Sequence, residues 1–354
     1  MYESQIIRQK NQIRLAMKSI PDAMVSGMAT IHDIARHTGL SAATVSRYLN
    51  GHPYVSKEAQ LTIQLAIKEL GYVPNDSARV LRSGQTRRIA LVIEDAAHPF
   101  YSSLIAGVGA AAARLGHDIL VQQVRGEAWH PGRLMQLVVT RAVDGVIIAS
   151  ELSPWSEYGD WLTDFPLVTC DQALQHADLP GVYIDHRQST LDGLHHLYEQ
   201  GARNILCLHT TPTSPCSSNT IRLTAFQEFA EGYPNAAIAT QQVSDDLLHN
   251  GEEVFAAYTA GAFPFDAVFC GSDDLAAGIL MAARKRGIAI PEQLKVLGFD
   301  DQPLAEVLGI STIHQPVRTM GERALEHLIQ CTTSPGTHPR SIQIAYRLIH
   351  REST

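Results

Sequence analysis

Four aspartates stand at or just beyond short apolar runs of this 354-residue chain: Asp95 after IALVIE, Asp171 after PLVTC, Asp273 after DAVFCGS and Asp300 in VLGFDD. Gathered carboxylates can transfer protons, hold a metal ion or accept hydrogen bonds from a hydroxylated ligand. The pairs Asp273-Asp274 and Asp300-Asp301, with sixteen histidines along the chain, are the material from which a catalytic or metal site would be built. The spacings that make such chemistry specific are missing. The sequence has no GxSxG, no P-loop and no HExxH, and no GxGxxG opens a helix after the first strand, since Gly107 and Gly109 fall inside a helical stretch. No catalytic residue, metal or cofactor is expected, and ligand binding is the reading that remains.

A second set of residues lies near the front. In AATVSRYLN, behind the N-cap residue Ser41, Val45 and Leu49 share one helical face and leave Ala42, Ala43, Ser46 and Arg47 pointing elsewhere. The outward residues are small or hydrogen-bonding. Charge is distributed to match: the first 87 residues carry eleven basic against six acidic side chains, although the whole chain is −8. A basic head on an acidic body concentrates attraction to phosphate at one end.

Two kinds of framework must position these residues. ATIHDIARHTGL predicts a short helix with Thr30 and Asp33 as a capping-box start and Gly39 as its stop, AATVSRYLN a second, and Ser56 to Gly71 a third with Ala59, Ile63, Ala66, Ile67 and Leu70 inward. Together they make a compact head over 28–74. DSARVLRSGQTRR is too polar and basic for a core of its own, and 75–87 reads as a hinge. From residue 88 short apolar strands alternate with helices, which predicts two parallel sheets, each covered on both faces. Ligands in such folds bind beyond the carboxyl ends of the strands, so Asp95, Asp171, Asp273 and Asp300 are expected at one site.

A composition of 45% hydrophobic and 18% charged residues is that of two or three globular units. No run of eighteen apolar residues occurs, and charges interrupt 1–27 where a signal peptide would need an apolar core, so a cytoplasmic protein is expected. Cys170, Cys207, Cys216, Cys270 and Cys331 are scattered, never as CxxC, and read as buried free thiols.

Taken in order, these phrases resemble a known family. TIHDIARHTGLSAATVSRYLN, the Tyr72-x-Pro74-Asn75 break and Ala78-Arg79-Val80-Leu81 are similar to the start of the LacI/GalR regulators of bacteria. HPFY (98–101), VDGVIIAS (143–150), FDAVFCGSDDLAAG (265–278), VLGFDD (296–301) and STIHQP (311–316) follow in that family's sequence. Only 1–27 falls outside, as a loose arm or a stretch ahead of a start at Met28. The resemblance implies an all-α helix-turn-helix DNA-binding head and an α/β two-lobed, periplasmic-binding-protein-like sensor. Lobe one is expected at about 88–185 and 315–340, and lobe two at about 186–314 and 341–350.

By the same resemblance a homodimer reads a pseudo-palindromic double-stranded operator with helix two in the major groove. Ala42, Ala43 and Arg47 then face the bases, with Thr44 beside them, while Thr30, Ser46 and Asn50 act as caps or phosphate contacts. Arginine suits guanine bidentately, although a phosphate contact is its other use. Residues 75–83 would fold on the operator, Ala78 and Arg82 meeting DNA and Leu81 wedging into the minor groove; Leu81 could otherwise be a linker contact to the sensor. The resemblance sets Phe100, Asp171, Arg222 and Asp300 around a sugar-like effector between the lobes, with Ser272 or Asp273 beside them. Asp273 could instead cap the helix that begins LAAGIL. Two departures bear on the ligand: Asp246-Leu247-Leu248 offers leucine where relatives carry a stacking aromatic, and Arg222-Leu223-Thr224-Ala225-Phe226 has alanine for the usual glycine. A periplasmic sugar-binding protein would also explain 88–354, but it would need a signal peptide in place of the basic head.

Overall fold

The computed structural model describes residues 29–49, 52–72, 80, 84–124, 131–150, 165–171, 179–211, 217–244, 249–259, 264–333 and 340–354. The chain divides into two units, Met1–Gly84 and Gln85–Thr354. In the first, α1 (Ile31–Thr38), α2 (Ala42–Leu49) and α3 (Lys57–Leu70) enclose a small core of Ile34, Val45, Ile63 and Ala66. Ala59, Ile67 and Leu70, expected inside as well, are half-buried at its margin. Thr30 and Asp33 form a reciprocal capping box, and left-handed Gly39 and Gly71 close α1 and α3. Ser56 caps α3 through the Ala59 amide. So small a core leans on these local devices, each contributing about 1 kcal/mol.

The second unit holds two six-stranded sheets. The first has the order β11-β5-β4-β3-β1-β2, built from β1 (Arg88–Ile93), β2 (Asp118–Gln123), β3 (Gly145–Ile148), β4 (Leu167–Cys170), β5 (Gly181–Tyr183) and β11 (Ile342–Gln343), all parallel. The second has the order β12-β10-β9-β8-β6-β7, from β6 (Asn204–His209), β7 (Ala237–Gln242), β8 (Ala267–Cys270), β9 (Lys295–Asp300), β10 (Ser311–His314) and β12 (Arg347–Ile349). Only β12 runs antiparallel. In both, strand order reverses beside the first strand, between β1 and β3 and between β6 and β8, which opens a crevice at the carboxyl ends.

Helices cover the faces. α4 (Pro99–Leu115), α5 (Pro131–Val139) and α11 (Val317–Thr333) belong to the first sheet; α6 (His186–Glu199), α7 (Ser218–Gly232), α8 (Asn250–Thr259), α9 (Asp273–Lys285) and α10 (Pro303–Leu308) belong to the second. α4 and α11 approach so closely that a Cβ on Gly107 would overlap the Arg318 carbonyl. The chain crosses between lobes three times, at 184–185, 315–316 and 344–346.

Two boundaries differ from those read in the sequence. Residues 341–344, assigned above to lobe two, pair with lobe one: β11 joins β5, Ser341 Oγ accepts the Gly181 amide at 3.0 Å, and the Ile344 amide donates to Tyr183 O at 2.8 Å. A two-residue strand has no periodicity to betray it. The end of the chain closes lobe two instead, the Val296 amide donating to Ser353 O at 2.8 Å. Residues 85–87, read as hinge, are tied to lobe one, because Asp144 accepts the Thr86 amide and hydroxyl at 2.8 and 2.9 Å and the Arg87 amide at 2.6 Å. Residues 75–79 and 81–83, with Ala78, Leu81 and Arg82, lie outside the described residues, as do 1–28, Asn50, Cys216 and 246–248. Cys170, Cys207 and Cys270 are buried free thiols, pushed up by burial.

Candidate functional site

In the head, Ser41 Oγ accepts the Thr44 amide at 3.1 Å and lies 2.8 Å from the Thr44 hydroxyl, so Thr44 helps to start α2. Val45 faces inward at 0% exposure, and this sets the phase that leaves Ala43 and Arg47 on the exposed face, four residues apart. Ala42 and Ser46 flank that face, half-buried. Thr30 is a cap: its hydroxyl donates to Asp33 Oδ2 at 2.7 Å and accepts the Asp33 amide. Small residues beside an arginine let a helix approach a groove closely.

In the second unit a cavity of about 400 Å³ opens where the strands of both sheets end. Lobe one supplies Glu94 and Asp95 beyond β1, Ala149 beyond β3, Asp171 beyond β4, and His98, Phe100 and Tyr101 from the start of α4. Lobe two supplies His209, Thr210 and Thr211 beyond β6, Asn219 and Arg222 on α7, Gly271 and Ser272 beyond β8, and Asp300 ending β9. Gln315 lines it from a crossover. Phe100 is fixed by the turn before it: His98 Nδ1 accepts the Phe100 amide at 3.2 Å, and the ring meets Tyr101 edge-on.

Arg222 is 6% exposed. Its guanidinium lies 3.7 Å above the Phe299 ring, and Nη1 donates to Gly271 O at 2.8 Å. Burial pulls its pKa down, opposed by Asp300 and Asp171. Nε is buried without a partner among the described residues. Burial pushes the Asp300 carboxyl up against the pull of Arg222, while Gln315 Nε2 donates to its Oδ1 at 2.6 Å and Gln302 Nε2 to its Oδ2 at 3.2 Å. Asp171 faces His186 Nε2 at 2.9 Å, and that ring stacks on Phe299. Asp171, Asp300 and Asp301 have φ of 68°, 103° and 56°, a region uncommon for residues with a Cβ, which bends the chain sharply at these strand ends.

Of the residues proposed from sequence, Phe100, Asp171, Arg222, Ser272, Asp300 and Asp95 line the cavity together; Asp273 does not. Ser272 is the N-cap of α9, its Oγ accepting the Leu275 amide at 3.3 Å. Asp273, at 0% exposure, turns inward, where its oxygens accept the Thr312 hydroxyl and the Gln302 amide, each at 2.7 Å. Room for this carboxylate exists because Gly298 has no Cβ to meet it. It is therefore neither a lining residue nor the helix cap. Burial, with Asp300 nearby, pushes it up to about 8.

Sequence reasoning missed Glu94, His98, His209, Thr210, Asn219 and Gln315. The strand-end rule applied to every strand would have found Glu94 and His209; Gln315, in a crossover, carries no such signal. Asp301, set out above as catalytic material, is held by Arg351 Nη2 at 2.7 Å and His314 Nδ1 at 2.9 Å. Among the described residues no group of three or more His, Cys, Asp or Glu side chains is placed to hold a metal. None of the described helices is long and apolar enough to cross a membrane.

Comparison with known proteins agrees with this arrangement. The profile of bacterial regulatory proteins of the lacI family matches residues 30–75, and that of the periplasmic binding protein-like domain matches 194–354. The NTD biosynthesis operon regulator of Bacillus subtilis (strain 168) is 33% identical over 332 residues, covering 92% of this chain and 100% of that protein. The ribose operon repressor of Halalkalibacterium halodurans is 31% identical over 329 residues, covering 92% and 97%. The solved lac repressor dimer bound to operator and the anti-inducer ONPF superposes with a TM-score of 0.82 at 22% identity, covering 92% of this chain and 99% of that one, a likeness of fold. With a head-domain match, a sensor-domain match and full-length relatives that are transcription regulators and not enzymes, the chain belongs to the lacI family of bacterial regulatory proteins and is a DNA-binding transcription regulator.

Proposed function

We propose that the chain is a cytoplasmic, nucleoid-associated repressor that binds a pseudo-palindromic operator as a homodimer and changes its operator affinity when a sugar-like effector enters the cleft between the lobes. Arg47 and Ala43, with Ala42, Thr44 and Ser46, form the reading helix, and Asn50, Ala78, Leu81 and Arg82 add contacts beyond it. Phe100, Asp171, Arg222, Ser272 and Asp300 hold the effector.

One observation carries the sensor reading. At the strand ends of both sheets, buried polar atoms of Arg222 and Gln315 lack partners among the described residues, and both side chains line the cavity. A buried donor or acceptor left unmade costs about 1–3 kcal/mol, which a hydroxylated ligand would recover. The lobes meet through three crossovers, so a ligand contacting both changes the angle between them, and only a ligand preferring one angle can alter DNA affinity. An aromatic ring beside carboxylates and an arginine suits a sugar face and its hydroxyls.

The test is a thermal-shift screen of sugars, sugar phosphates, nucleosides and purine bases, then operator titration with and without each hit. A hit should change operator affinity, the operator should change affinity for the hit by the same factor, and Arg222→Ala should abolish the response. A folded Arg222→Ala variant that responds at wild-type concentrations refutes the cleft. Full half-site affinity from a monomer refutes the dimer.

A further inference from the structure

We propose that the effector of this cleft is a glycoside of two rings, a sugar held at the buried end and a second ring on its anomeric carbon lying in the mouth, in preference to a free monosaccharide. The inference rests on the cleft being the effector site and concerns the size and division of that site. The cavity measures about 400 Å³. A cavity of roughly 150 Å³ takes a single six-membered ring, and clefts of about 300 Å³ upward hold larger ligands. One sugar ring leaves much of this space to water.

Burial divides the described lining residues into two sets. Phe100, Arg222, Ser272, Asp300 and Gln315 are buried. In this set Gln315 Nε2 donates to Asp300 Oδ1 at 2.6 Å, which leaves Gln315 Oε1 an acceptor without a partner among the described residues, and Arg222 Nε–H is a donor without one. Sugar hydroxyls can meet both, and the Phe100 ring can cover a sugar face. The second set belongs to lobe two, where His209, Thr210 and Asn219 are half-buried and Thr211 is exposed. Asn219 Nδ2 donates to Thr210 Oγ1 and Gln242 Nε2 to Thr211 Oγ1, each at 2.8 Å, and His209 Nδ1 lies 2.8 Å from Thr210 O. These bonds brace a polar wall before any ligand arrives. Both threonine hydroxyls accept in them and keep their own O–H to donate, and Asn219 keeps its amide oxygen to accept. Such a wall suits the hydroxyls of a second sugar and the edge of a nucleobase alike, and a ring that fills the buried end leaves it unused.

The test is calorimetric titration of the full-length protein with adenosine and cytidine beside D-ribose, and with cellobiose, maltose and trehalose beside D-glucose. At least one two-ring compound should bind about tenfold more tightly than its parent sugar, the worth of one or two further hydrogen bonds. Preference for a nucleoside makes the second ring a base, and preference for a disaccharide makes it a sugar. In Asn219→Ala, and in the more exposed Thr211→Val, the affinity for that compound should fall toward that of its parent, with melting temperatures reporting that each variant is folded. Parent sugars that bind as tightly as their two-ring partners overturn the proposal, as does failure of all five two-ring compounds to bind. An advantage unchanged in both folded variants overturns the mouth as the second subsite. A two-ring compound that binds tightly but leaves operator affinity unchanged overturns the effector reading and not the preference for two rings.

Discussion

Asp273 offers the sharpest test of the physical account, because its carboxyl is fully enclosed and serves no ligand. Its pKa stands at about 8 against an ordinary 3.8, chiefly through burial and then through Asp300. Between those values the unfolded chain has released this proton while the folded chain keeps it, so stability falls as pH rises from about 4 and levels off above about 8. Each unit is worth about 1.4 kcal/mol, which puts the loss on the order of 4 kcal/mol by pH 7. Asp273→Asn mimics the protonated acid: Oδ1 can accept the Gln302 amide and Nδ2 can donate to the Thr312 hydroxyl, in the places where the carboxylate now accepts. The variant should therefore gain on the wild type steadily from pH 4.5 to 8. Guanidinium unfolding of both proteins at one protein concentration, followed by circular dichroism across that range, isolates Asp273 together with its coupling to Asp300, because titrations that do not feel Asp273 cancel in the difference. A difference that stays flat with pH would refute the reasoning, and one that shrinks as pH rises would reverse its sign.

Arg47→Ala should cost operator affinity about 1 to 3 kcal/mol with discrimination lost at one base pair, as gel shifts on operator variants would show; equal weakening on random DNA would assign Arg47 to phosphate. Gly107→Ala should destabilise the sensor by about 1–3 kcal/mol or more, read from its unfolding midpoint, because the new methyl overlaps the Arg318 carbonyl where α4 meets α11. Thr30→Ala should cost the head about 1 kcal/mol by removing the capping box, with a lower head melting temperature and the sensor transition unmoved.

Much of this protein was legible because local chemistry and global fold agree. The capping box at Thr30 and Asp33, the stops at Gly39 and Gly71, and the spacing of Val45 and Leu49 are short-range signals, and the head follows them. Apolar runs alternating with helices specified two sheets, parallel but for the antiparallel edge strand β12, and the strand-end rule drew Asp95, Asp171 and Asp300 into one cavity. The direction of a side chain at a helix start was not legible. Whether Ser272 or Asp273 caps α9 depends on Thr312 and Gln302, partners 39 and 29 residues away, and on a glycine at 298 that leaves the carboxylate its space. The same holds for β11, two residues long and recognisable only by the strand beside it, and for Gln315, whose place in the cleft comes from the path of a crossover. Sequence alone determined the longer helices and strands and the polar residues at their ends, because backbone hydrogen bonding and apolar periodicity are local. Tertiary structure decided which polar groups those ends turn toward one another, because a buried carboxylate settles where distant donors and an absent methyl allow it.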